Sequence, residues 1–113
     1  MKNGQIGNGE CVAACKHFAD LPGTSQWTAG PKVTDSPKLE PGTAIATFDK
    51  NGNYPQGDVP KNSAIYLGRG AGGSIWVVDQ WNPGHPPTAR EVLPTGSFPS
   101  NNPSGYSVIY LKQ

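Results

Sequence analysis

"SAIYLGRGAGGSIWVVDQW", from Ser63 to Trp81, decides the fold. Its middle, Gly68 to Gly73, is a literal G-x-G-x-x-G. That pattern opens a dinucleotide-binding fold only when a strand precedes it and a helix N-terminus follows to hold the pyrophosphate. Here "SAIYL" (Ser63 to Leu67) precedes it as a strand, but "SIWVVDQW" (Ser74 to Trp81) follows as a second strand, rich in β-branched and aromatic residues. Two strands joined by a short Gly-rich loop make an antiparallel hairpin, so the cofactor reading is set aside.

Outward from this hairpin, "TAIATF" (Thr43 to Phe48) and "YSVIYL" (Tyr106 to Leu111) have the same strand chemistry, and "REVL" (Arg90 to Leu93) reads as a shorter fifth strand. The separators "KNGN", "NPGHPP" and "SNNPSG" are turn-forming, and their shortness favours an antiparallel meander. "DKNGNYPQGDVP" (Asp49 to Pro60) superficially suggests a calcium loop. However, Tyr54 stands where the loop needs Gly, and Pro60 where it needs a bidentate Glu. Asn51-Gly52 is better explained as a turn with positive φ. No metal site and no cofactor are expected. Between Thr24 and Gly42 the chain reads as polar and irregular, with Trp27 as an anchor.

The period changes at the other end. In "GNGECVAACKHFA" (Gly7 to Ala19), Asn8 is a plausible N-cap, and Cys11, Val12, Cys15, Phe18 and Ala19 recur at three- and four-residue spacing, while "LPG" closes the stretch. The pattern predicts a helix over about residues 9–20. The class is therefore α+β: one N-terminal helix packed on a four- to five-stranded antiparallel sheet, in a single domain spanning residues 1–113.

Bulk properties narrow the partners. The chain has 113 residues, 15 glycines and 12 prolines, a composition near the disordered range, but three Trp, four Tyr and three Phe argue for a folded, loop-rich domain. A net charge of +1 without a basic stripe makes nucleic acid a poor partner, and no apolar run is long enough to span a bilayer. "MKNGQIGNGE" contains no apolar signal segment. The expectation is a cytoplasmic chain, or one exported by a signal-independent route.

Cys11 and Cys15 do not make a disulfide framework, and a bridge between them within one helix would be strained. Cys11 falls in the first turn of the predicted helix. Free N–H groups and the partial positive charge there lower a thiol pKa and can also cradle an oxyanion. Cys15, one turn deeper on the apolar stripe, reads as a small buried residue. A purely structural role for both thiols stands beside the nucleophile reading. His17 lies about 240° around the helix from Cys11, so a base must come from elsewhere.

"ECVAACKHF", "PGTAIATF", "SAIYLG" and "IWVVDQWN", taken together from about Gly7 to Leu111, resemble the small papain-like cell-wall peptidases of the NlpC-like and CHAP amidase superfamily. The resemblance implies a papain-like fold and cleavage of amide bonds in peptidoglycan stem peptides. Relatives act as lysins or as toxins injected into competing bacteria, which implies an antibacterial effector acting in the target periplasm. A cognate immunity protein would be a possible partner, and the chain itself a monomer. The resemblance makes Cys11 the nucleophile. It makes Asp79 of "DQWN" the carboxylate that orients the base, with Gln80 the next choice. Trp27, Tyr66, Trp76 and Trp81 are candidates to line a substrate groove, or else to fill the core; at least one tryptophan is expected to be buried packing.

The departure from the family is at the base. The motif reads His-x-Ala-Ile-Tyr in relatives and "NSAIY" here, so Asn62 occupies the histidine's place. An asparagine cannot take the thiol proton or return one to a leaving amine, and loss of a general base lowers the rate by ~10²–10⁴. This chain is therefore expected to be an impaired amidase or endopeptidase. Position 62 is either an inactivating substitution or the mark of a natural pseudoenzyme that binds peptidoglycan without cutting it. His85 in "NPGHPP" is the other imidazole that could serve.

Overall fold

A computed structural model of the protein describes residues 21, 23–56, 61–81, 85–96 and 99–112. The predicted helix over residues 9–20, with Cys11, Cys15 and His17, lies outside the described residues. The described chain is built on one antiparallel sheet of six strands: β1 (Trp27–Lys32), β2 (Ala44–Thr47), β3 (Ser63–Arg69), β4 (Ile75–Trp81), β5 (His85–Val92) and β6 (Tyr106–Leu111). Short 3₁₀ turns at Thr24–Gln26, Val33–Asp35, Ala71–Gly73, Pro99–Asn101 and Pro103–Gly105 punctuate the connections.

Six strands replace the four or five expected, and the reason is proline. β1 contains Gly30-Pro31, which reads as a turn, yet its register against β6 slips between Ala29 and Lys32. That bulge lifts Pro31 off the ladder, so its missing N–H leaves no gap in it. β5 begins with His85-Pro86-Pro87 and extends well before "REVL", whose Leu93 lies just beyond the strand. The strand order β1-β6-β2-β3-β4-β5 puts both proline-bearing strands at the edges, where a lost donor is tolerated. The meander holds from β2 to β5, whereas β6 is inserted between β1 and β2.

Both faces of the sheet are buried, which is why its inner strands read as nearly continuous apolar runs. Alternation along each strand sends sequence neighbours to opposite faces. Ile45, Ala64 and Val77 join Val33, Tyr66 and Tyr106 in one apolar cluster. Ala46, Ile65 and the half-buried Val78 join Trp27, Tyr54 and Ile109 in the other.

The two turns read from sequence keep their chemistry. Gly72 and Gly73 adopt φ of +66° and +87° in the loop between β3 and β4, and a strand follows, as a hairpin requires. At Asp49–Asn53, Oδ1 of Asp49 accepts the backbone N–H groups of Asn51 (2.9 Å) and Asn53 (3.0 Å), and Gly52 has φ +80°. The Gly52 carbonyl in turn accepts the Ala29 N–H at 3.0 Å, tying this turn to β1.

Candidate active site

Asn62 stands immediately before β3. Its carbonyl accepts the Thr47 N–H at 2.9 Å and its N–H donates to Thr47 Oγ1 at 3.0 Å, so its backbone is tied to the end of β2. The β3–β4 register pairs Ile65 with Val78, which brings Asp79 opposite Ala64 and diagonal to Asn62. The side chains meet there: Asn62 Nδ2 donates to Asp79 Oδ2 at 2.8 Å.

The pair belongs to a closed hydrogen-bonded ring. Asn62 Nδ2 also donates to Tyr106 Oη at 2.9 Å, and Tyr106 Oη donates to the Ser100 carbonyl at 2.7 Å. Arg90 Nε donates to Asp79 Oδ2 at 2.8 Å, and Arg90 Nη2 reaches the same Ser100 carbonyl at 3.4 Å. Four strand segments and the 99–105 connection are thus joined through side chains. Asp79 and Tyr106 are fully buried and Asn62 is 5% exposed, while the Arg90 side chain keeps 24% exposure. A buried carboxylate without a counter-charge would be strongly unfavourable, and the guanidinium provides that charge together with a directed donor. Asn62 spends both amide hydrogens on the ring, and no described group donates to its Oδ1.

Chemically, the ring fixes the orientation of whatever side chain occupies position 62. Among the described residues, the ring contains no imidazole. Among the described residues, no three His, Cys, Asp or Glu side chains gather as a metal site.

The other residues singled out from sequence are dispersed. Trp27 and Tyr66 are completely or almost completely buried and pack in the two apolar clusters, so each fills core in place of an open groove. Trp76 is 42% exposed on β4. Gln80 and Trp81 close β4, with Trp81 in register with His85 at the start of β5; their side chains lie outside what the structure describes. Cys11 is outside the described residues. Sequence reasoning missed Arg90, Tyr106 and the Ser100 carbonyl. Arg90 and Tyr106 lay in strand-like runs whose partners depend on register, which one sequence does not display. Near the ring, the buried Ser63 hydroxyl has no hydrogen-bond partner among the described residues.

Comparison with known proteins gives a consistent set of relatives. A type VI secretion amidase effector 2 protein from Salmonella typhi is 40% identical over 78 residues, which cover 68% of this chain and 57% of that protein. The match thus spans little more than half the length of that curated relative. The solved structure of a type 6 secretion amidase effector 2 (Tae2) superposes with a TM-score of 0.82 at 30% identity, over 96% of this chain and 86% of that one. Residues 2–109, which include positions 11, 62 and 79, match the family described as domesticated amidase effector 2. The chain belongs to the domesticated amidase effector 2 (Dae2) family.

Proposed function

We propose that this chain is a peptidoglycan amidase effector of papain-like design, in which the position of the general base is filled by Asn62. The amidase effectors it resembles support the reaction class. One observation carries the assignment of the site: the side chain at position 62 is bonded to the buried carboxylate of Asp79 at 2.8 Å. A base-orienting pair needs this contact. An imidazole at position 62 would place Nδ1 near the present Nδ2, where it donates to Asp79 and leaves Nε2 free to exchange a proton with a thiol.

In the active form, Cys11, in the first turn of the helix expected from sequence, is the nucleophile and the residue at 62 removes its proton. The thiolate attacks a stem-peptide carbonyl, backbone N–H groups hold the oxyanion, and water releases the acyl enzyme. Asp79 holds the imidazole in the productive tautomer. The site of action is the periplasm of a target cell, and a cognate immunity protein is the expected partner. No helix among the described residues is long and apolar enough to cross a membrane.

With Asn62 in place no imidazole among the described side chains carries the proton transfers, and His17 and the side chain of His85 lie outside them. Asn62→His is expected to digest purified sacculi at least ~10²-fold faster than the present chain, and adding Cys11→Ala should abolish that gain. Failure of Asn62→His to release peptide fragments would remove the hydrolase reading.

A second reading, a binding protein that no longer cuts, is favoured by the donor count at Asn62. Its amide fills two places in the ring, Asp79 and Tyr106, whereas a neutral imidazole bonded through Nδ1 fills one. On this reading the present chain sediments with sacculi and Cys11→Ala does not change the fraction bound.

A further inference from the structure

The cation beside Asp79 decides what kind of side chain position 62 can hold. Asp79 Oδ2 receives two donors, Asn62 Nδ2 and Arg90 Nε, each at 2.8 Å. The guanidinium is therefore no more than two hydrogen-bond lengths from the Asn62 amide. All of these groups share one face of the sheet. Arg90 pairs with Val77, two residues before Asp79 on β4, and Val77 joins Ala64 and Tyr106 in one apolar cluster.

These neighbours act on an imidazole at position 62 in opposite directions. A carboxylate bonded to the ring favours its protonated form, whereas a cation nearby disfavours it. At Asp79 both are present, so the carboxylate's pull is offset by the guanidinium held on the same oxygen. Burial acts on the cation's side: position 62 is almost closed to water, and a charged ring would lose its hydration there. Facing position 62 are Asp79 from β4, Arg90 from β5 and Tyr106 from β6. Thr47 from β2 meets its backbone, and Lys61 is its chain neighbour. The amide of Asn62 meets the same conditions, giving two donors and no charge.

We propose that Arg90 is a positioning residue that acts through Asp79: it makes position 62 a place for a neutral side chain, so that an imidazole there is unprotonated at rest. The proposal rests on the amidase reading and deepens it, because it names the residue that sets the state of the base. An unprotonated ring can take the thiol proton on Nε2 as the sulfur attacks. A ring already protonated cannot.

The test is an NMR titration of Asn62→His through its imidazole C–H resonances, with those of the two native histidines identified from the parent. The new imidazole is expected to titrate at or below the ordinary histidine value. In Asn62→His/Arg90→Gln the midpoint should rise by about one pH unit or more. Arg90→Lys in the same background keeps the charge and should keep the low midpoint. Tyr106→Phe removes a neutral partner from the ring and should not raise it. A midpoint more than about one pH unit above the ordinary value in Asn62→His alone overturns the proposal, whether or not the Arg90→Gln variant folds. So does an unchanged midpoint in Arg90→Gln, or a rise in Arg90→Lys as large as that in Arg90→Gln. Digestion of sacculi by Asn62→His judges the hydrolase reading separately. A low midpoint without digestion removes only the cutting step, and digestion with a raised midpoint removes only the role of Arg90.

Discussion

A carboxylate with no solvent exposure must have its charge answered inside the protein, and at Asp79 the answer is Arg90 at 2.8 Å. Removing the cation alone leaves a buried, uncompensated charge, so Arg90→Met is expected to destabilise the fold by about 3 kcal/mol. Tyr106→Phe removes one donor and one acceptor from the same ring and should cost about 1–2 kcal/mol. Urea unfolding of the two variants checks both values, and a loss below about 0.5 kcal/mol, the scale of an ordinary surface substitution, would mean that the ring does not stabilise the fold. The two single losses should not add, because both side chains hold the Ser100 carbonyl. At this scale the sequence was half legible. Family resemblance pointed to Asn62 and Asp79, which lie seventeen residues apart and do meet. Arg90 and Tyr106 were invisible because contact across β4–β5 and β6–β2 is a property of register.

Among the elements, strands whose runs are β-branched and aromatic were readable, whereas those broken by proline were not. β2, β3, β4 and β6 coincide with apolar runs because both faces of the sheet are covered and neither face needs polar residues. β1 and the first half of β5 carry Pro31, Pro86 and Pro87, which signal turns in isolation and are accepted here only because the strands lie at the edges. The turn at Asp49–Asn53 was legible from Asn51-Gly52. Gly52 holds φ +80° there while its carbonyl anchors β1. Gly52→Ala forces a side chain into the left-handed region and is expected to cost about 1–2 kcal/mol. A melting temperature equal to that of the parent would contradict this account of the turn.

Across the whole molecule, the sheet order divides the strands into four interior and two edge members. Native-state hydrogen exchange should follow that division: amides of β2, β3, β4 and β6 are expected to exchange last, and those of β1 and β5 first. Uniform protection across all six strands would show that the edges open only with global unfolding. The antiparallel pairing and the hairpin around Gly68–Gly73 were legible because they follow from local period and turn chemistry, whereas the helix of the expected α+β class lies outside the described residues. The strand order was not, since nothing in a linear pattern says that β6 returns to separate β1 from β2. That insertion has a consequence for biosynthesis. As the polypeptide leaves the ribosome, β1 must wait unpaired while β2 to β5 are made, because its neighbour in the sheet is the sixth strand to emerge. The sheet cannot close by simple accretion, and a chaperone that grips Tyr106–Leu111 would keep β1 apart from the β2–β5 meander.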